Sequence, residues 1–239
     1  MLSRPLRHRL KETFSSLSVD IPRGPLKGMR WSIATGLPFI RGMYEPRKSE
    51  ALASVLRPGQ VVFDVGAHVG YFAAVASLEV GPEGSVLAFE PRPLNLRLLR
   101  KHVQWNHLGN VRIIEAAVGR EDGEGRLRDD TGTGTGSLTN GDGLSVRVLA
   151  LDSLVRSGGA PAPDAIKIDV EGGELDVLEG ARWILREHRP VLLLATHGPE
   201  LHEACLDILR DEGYEWRILE ATRDESDTEM LALPGPPKG

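Results

Sequence analysis

The stretch that most restricts the fold is Val61-Val62-Phe63-Asp64-Val65-Gly66-Ala67-His68-Val69-Gly70, followed by an apolar segment over 71–78. A short apolar run ending in glycines reads as a strand buried on both faces, and the segment after it reads as a helix. Strand, glycine turn and helix in that order open a doubly wound α/β sheet, where ligands sit between strand carboxyl ends and helix N-termini. Glycine there lets the backbone approach a ligand closely and adopt dihedrals that other residues avoid.

The same rhythm continues downstream. Apolar strands are expected at 85–89, 111–114, 165–169 and 191–195, with further strands at 144–151 and 214–219. Helices are expected at 93–106, where Leu94, Leu98, Leu99 and Val103 share one face, and at 174–187 and 199–212. The expected fold class is therefore α/β: a Rossmann-like doubly wound, mostly parallel sheet with helices on both faces. Residues 230–233 follow the last strand after only a turn-rich stretch, so an antiparallel edge strand is expected. The segment 121–143, with Thr131-Gly-Thr-Gly-Thr-Gly-Ser137 at its centre, reads as a flexible insertion.

At 239 residues, with 41% hydrophobic, the chain has enough apolar material for one large domain. Three parts are expected: an N-terminal annex over 1–58, holding a helix, a short strand near 26–33 and a closing turn; the main domain over 59–234; and a disordered tail over 235–239. The formal net charge of −5 gives no reason to expect nucleic acid as a partner. No run approaches the ~20 apolar residues of a membrane span. The single cysteine, Cys205, sits in an apolar setting and reads as a buried hydrophobe; with no disulfide available, a cytoplasmic location is expected. A homo-oligomer stays open.

Two acidic residues give the glycine turn its chemical sign. Asp64 precedes it, and Glu90 ends the next strand twenty residues past Gly70. A carboxylate at that second position suits the two hydroxyls of a ribose. The spacing Gly66-x-x-x-Gly70 departs from the G-x-G-x-x-G of dinucleotide enzymes. A carboxylate beside a pyrophosphate would also be repelled: unit charges roughly 4 Å apart interact by about 4 kcal/mol at an effective dielectric of about 20. S-adenosyl-L-methionine carries no phosphate and has a positive sulfonium and ammonium, so the charges select it over NAD. A P-loop is excluded because no Gly-Lys-Ser/Thr follows the turn.

The chain resembles the FkbM-type methyltransferase family in Tyr44-Glu45-Pro46, in 63–72 (Phe-Asp-Val-Gly-Ala-His-Val-Gly-Tyr-Phe), in Phe89-Glu90-Pro91, in 106–111, in 116–119, in Leu151-Asp152 and in 166–174 (Ile-Lys-Ile-Asp-Val-Glu-Gly-Gly-Glu). The resemblance implies S-adenosylmethionine-dependent methyl transfer to an oxygen of a sugar or other small natural-product acceptor. By position, Asp64, Gly66 and Gly70 would line the methionine end of the donor, with His68 where relatives often carry Asn. Glu90 would hold the ribose, beside Pro91 and Asn95. Ala117 and Val118 would meet the adenine, and Tyr44 and Glu45 would close over the donor.

Methyl transfer needs alignment and a group to take the acceptor's proton. Asp169 and Glu171 are expected as orienting or acid/base groups and His197 as the base, having the suitable ordinary pKa. The trio's spacing also permits Mg²⁺ without requiring it, and no metal ligand is assigned. Glu174 is expected mainly to cap a helix, and Lys167 to pair with a carboxylate. Ser137 is the expected acceptor contact, in a loop over 131–139 that would act as a lid. His102, His107 and His188 are expected on helix or turn surfaces without a chemical role. Two other readings use the same residues: methylation of RNA or a protein side chain, which lacks an Asn-Pro-Pro-type signature, and a noncatalytic cofactor-binding partner.

Overall fold

The computed structural model describes residues 15–127, 138–139, 142–222 and 227–236. The lid segment with Ser137 therefore lies outside the described residues, as does most of the tail. Seven strands make the main sheet: β3 (Val61–Val65), β4 (Ser85–Phe89), β5 (Val111–Ile114), β10 (Ala165–Ile168), β11 (Val191–His197), β12 (Tyr214–Ala221) and β13 (Asp227–Pro234). Their order is β12-β13-β11-β10-β3-β4-β5. Strands β5, β4, β3, β10 and β11 are joined in parallel. Strand β13 runs antiparallel to both neighbours, so the reversed strand sits one place in from the edge and β12 is the edge.

The chain winds from β3 outward through β4 and β5, then returns to the other side of β3 with β10. The sheet's switch point therefore falls between β3 and β10, where Lys167 pairs in register with Asp64 and Ile168 with Val65. A crevice opens at such a point because successive connections leave it in opposite directions.

Helices α3 (Tyr71–Val80), α4 (Pro93–Trp105) and α8 (Pro199–Asp211) cover the sheet. The expected helix over 174–187 is two: α6 (Glu174–Glu179) and α7 (Arg182–Glu187), broken at Gly180, where any Cβ would run into the Gly119 carbonyl oxygen. Asp152, in the short helix α5 (Leu151–Arg156), accepts hydrogen bonds from the Trp183 and Ile184 amides and so caps α7.

The segment read as an insertion holds order at its ends. Strands β7 (Gly123–Leu127) and β9 (Leu144–Leu149) pair antiparallel, with β6 (Ala117–Val118) and β8 (Leu138–Thr139) at the flanks of this second sheet. Leu127, Val146, Val148 and Ala117 bury a small core of their own. One buried leucine among glycines and charges gave little period-2 signal, so this pairing follows from contact with β9 and not from local propensity.

The N-terminal part packs into the main core. Ile21, Leu26, Trp31 and Leu52 join the cluster that includes α3. Strand β1 (Ser18–Asp20) pairs with β2 (Arg30–Ser32), followed by α1 (Leu37–Ile40) and α2 (Pro46–Val55). His102 fastens this part to the glycine turn, and it is buried, contrary to the surface position expected for it. Its ring stacks on Trp31 at 3.8 Å, Nε2 accepts from the Ser32 amide (3.1 Å), and Nδ1 lies 2.8 Å from the Val69 carbonyl oxygen. Accepting at Nε2 requires the neutral ring, and burial lowers its pKa from 6.5 to about 4. The stability held by neutral His102 is complete above pH 6.5 and is lost as pH falls toward 4, by about 3 kcal/mol from this shift. The unfolding free-energy gap between wild type and His102→Gln should therefore shrink across that window; a constant gap in urea titrations would remove His102 as its source.

Candidate active site

The switch point is a concave cleft, open to solvent at its mouth and lined by apolar, aromatic and a few charged side chains, the make-up of a small-ligand site. Gly66 forms its floor at φ +77°, in the left-handed region, and a Cβ there would collide with the Asp169 carbonyl oxygen. Both features exclude any other residue, and they bring the tips of β3 and β10 into contact. Gly66→Ala should cost about 1–3 kcal/mol in strain and open the cleft, read as a lower denaturation midpoint together with loss of donor binding. Gly70 does different work: its missing side chain admits Leu99 of α4, and it does not line the cleft.

Asp64 lies beneath the cleft wall, wholly buried, with Oδ1 3.2 Å from the equally buried Lys167 ammonium. Burial raises the Asp64 pKa, and Lys167 opposes the rise. Lys167 also donates to the Gly66 carbonyl oxygen at 2.8 Å and itself lines the cleft. Asp64 thus reaches the cleft through Lys167 and not by its own oxygens, and its charge is largely answered from within.

Glu90 also lines the cleft. Its Oε2 accepts from the His68 amide (2.8 Å); its Oε1 accepts from the Arg92 amide (2.8 Å) and from Asn95 Nδ2 (3.3 Å). The Gly66 and Ala67 amides donate to the Phe89 carbonyl oxygen, locking the glycine turn to the tip of β4. Burial pushes Glu90 up to about 7 despite these donors. His68, Glu90, Pro91, Ala117 and Val118 line the cleft, whereas Asn95 stands behind Glu90. Phe89, Ala116 and Leu127 add an apolar wall here, and Leu127 comes from the second sheet that the sequence did not disclose.

Tyr44 also lines the cleft and stacks at 3.9 Å on Phe39, whose ring is in turn 5.8 Å from that of His68. Glu45, at φ +40° before α2, turns away to Lys48. Burial and then the Glu45 charge hold the Tyr44 hydroxyl well above the usual tyrosine range, so it stays protonated.

Asp169 and Glu171 line the cleft, and His197 converges on them from outside its lining. Each offers one ligand atom, and these lie within 4.8 Å of one another, close enough for the three to hold a divalent cation. His197 Nε2 is 3.7 Å from Glu171 Oε2 and 4.0 Å from Asp169 Oδ1. Its Nδ1 is 2.8 Å from Glu174 Oε1. Glu174 is fully buried and accepts from the Gly172 and Val170 amides of the turn before α6 and from none of the helix's own first amides, so in place of the expected helix cap this carboxylate braces the turn and orients the imidazole. The Glu174 hydrogen bond, first, and then the surrounding carboxylates raise His197 to about 9 although burial opposes it. At neutral pH the ring is a cation and a donor, which is not the protonation state expected of a base. Glu171, at the cleft, has its pKa raised by burial, while Asp169 is driven well below the usual carboxylate range by Lys167 and Lys48, which outweigh its burial. Burial likewise pushes the Cys205 thiol up to about 12, which leaves it inert.

The sequence reading missed Lys48 and Arg92. Lys48 is 1% exposed, with its ammonium 2.9 Å from Glu45, 2.8 Å from Asp169 and 2.7 Å from Glu229. Burial alone would lower its pKa; the three carboxylates reverse that and raise it. Its signal was faint but present: residues 48, 51 and 52 share one helical face, and the other two are Ala and Leu. Arg92, buried and at the cleft, directly follows the quoted Phe89-Glu90-Pro91.

Residues 64–216 match the family model described as the methyltransferase FkbM domain. The hexuronic acid methyltransferase AglP of Haloferax volcanii is 30% identical over 167 residues, covering 69% of this chain and 67% of that protein. The 31-O-demethyl-FK506 methyltransferase FkbM of Streptomyces tacrolimicus is 30% identical over 159 residues, covering 52% of this chain and 60% of that one. In three dimensions, the methyltransferase FkbM structure from Methylobacillus flagellatus superposes with a TM-score of 0.52 at 21% identity, covering 95% of this chain and 59% of that one, a likeness of fold. Among the described residues no helix is long and apolar enough to cross a membrane.

Proposed function

The chain belongs to the FkbM-domain methyltransferases, and from that premise we propose that its S-adenosylmethionine-dependent reaction delivers a methyl group to a hydroxyl oxygen of a sugar or other small natural-product acceptor. The observation that carries the reading is one cleft lined by two chemically distinct sets of residues. An apolar wall stands with the buried, amide-anchored Glu90, and Asp169 and Glu171 line the same cleft with His197 beside them. The two relatives above bear names that specify a hexuronic acid and a hydroxyl of a natural product.

The residues fit the donor. Ala117, Val118, Phe89 and Leu127 make a flat apolar surface for adenine, Glu90 keeps acceptor capacity for ribose hydroxyls, and the Gly66 floor admits a ligand's close approach. When bound, S-adenosylmethionine supplies an electrophilic methyl carbon on a sulfonium, which the acceptor oxygen displaces. The protein's part is to orient that oxygen and receive its proton.

Glu171 is the better proton acceptor of the two carboxylates, because burial raises its affinity while Asp169 stays ionised as an orienting acceptor. The His197 imidazolium, fixed by Glu174, faces both. The hydroxyl oxygen bonds to the methyl carbon, the carbon–sulfur pair leaves with sulfur, and the hydroxyl proton passes to Glu171. Glu171→Gln should lower kcat about 100-fold or more with S-adenosylhomocysteine affinity within about twofold of wild type. Radiolabelled methyl transfer to a panel of uronic acids, neutral sugars and hydroxylated macrocycles tests the class. Transfer to RNA or protein alone would overturn it. Under this reading the rate does not respond to chelators; a rate that vanishes with EDTA and returns with Mg²⁺ would make the trio metal ligands.

A further inference from the structure

Lys48 does not line the cleft, yet it joins three separate parts of the chain at the cleft's edge. Its ammonium binds Glu45 of the N-terminal turn, Asp169 at the tip of β10 and Glu229 of the reversed strand β13, all at 2.7–2.9 Å. The side chain is 1% exposed and passes 5.4 Å from the Phe72 ring, a cleft residue. Three charge-assisted bonds on one buried cation leave it no alternative rotamer without an unpaired charge. Two consequences reach the cleft. Asp169 Oδ2 is held by Lys48, so Oδ1 is the oxygen left toward His197. Glu45 is held too, which fixes the backbone directly after Tyr44, the cleft's aromatic wall.

We propose that Lys48 is a positioning residue for the donor's methionine end, acting by fixing the Asp169 carboxylate and the Tyr44-Glu45 turn against each other at the cleft's edge. The inference rests on the reading above, which puts the adenosine at the Glu90 end. It assigns Lys48 no contact with the ligand. Glu229 takes part from outside the cleft, because it reaches Asp169 only through Lys48.

The test compares two ligands that differ at one end. S-adenosylhomocysteine carries the methionine moiety; 5′-methylthioadenosine lacks the amino-acid part. Calorimetry on the full chain should show Lys48→Met binding S-adenosylhomocysteine about tenfold or more weakly, the loss of a charge-assisted bond's worth of positioning, with 5′-methylthioadenosine unchanged. Lys48→Arg, which keeps the charge, should recover part of the loss. If Lys48→Met does not fold, Glu229→Gln carries the test, with a smaller loss confined to S-adenosylhomocysteine. Equal losses for both ligands, or none for either, in the folded variant would overturn the proposal. Wild type binding neither ligand would instead sink the reading of the cleft itself.

Discussion

Glu90→Ala should weaken S-adenosylhomocysteine binding by about 100-fold or more, because two charge-assisted hydrogen bonds of about 1.5–3 kcal/mol each are lost. The carboxylate is buried and its position is over-determined by the His68 and Arg92 amides and Asn95, so its remaining acceptor capacity is pre-aimed. The same burial makes its ionisation costly in the free protein, and its pKa stands at about 7. That sets the sign of a pH effect. A folded pKa raised from 4.5 means the fold prefers the protonated form, so this group's stabilisation is present below 4.5 and is lost as pH rises through 7. A ligand that needs the carboxylate binds better as pH rises from 6 to 8, and Glu90→Gln should flatten that rise. Calorimetry at three pH values checks both parts; a wild-type affinity that falls with pH would contradict the ribose role.

Lys167→Met should cost about 3–5 kcal/mol of folding stability, the range for removing one partner of a buried ion pair. Against a typical domain stability of about 5–15 kcal/mol, that is a large share. The reason is local: among the described residues Asp64 has no other cation within ion-pair distance, and both side chains are almost wholly shielded from water. Asp64→Asn should cost a comparable amount by stranding the lysine. The double variant Lys167→Met with Asp64→Asn should recover most of the loss, because no buried charge then lacks a partner. Urea unfolding of all four proteins forms a double-mutant cycle. Strictly additive losses would show that the pair does not act as a unit.

The parts legible beforehand share a physical origin. Buried parallel strands are mostly apolar, so β3, β4, β10 and β11 stood out as runs, and the glycine turn with Glu90 twenty residues on located the cleft. Residues named from their places close to a strand end, Gly66, His68, Glu90, Ala117, Val118, Asp169 and Glu171, line it. The state of those that depend on a distant partner was not legible. His197 has an ordinary side chain with an ordinary pKa until Glu174 binds its ring, and only then is it a cation at neutral pH. Asp64 has an acidic label in the sequence, but Lys167, across a strand pairing 103 residues away in the chain, largely cancels the charge it would show a ligand.

Local order in the chain therefore determined the alternation of strands and helices, the place of the glycine turn and the positions of the residues at strand tips, because hydrophobic period and glycine placement act over a few residues. Tertiary structure alone decided which charges face the cleft and in what protonation state. It brought Lys48 to three carboxylates from three segments, buried His102 against Trp31, and lined one wall with Leu127 from a second sheet. The physical reason is that charge and proton affinity depend on burial and on neighbours within a few ångströms, and those neighbours are set by packing across the whole chain.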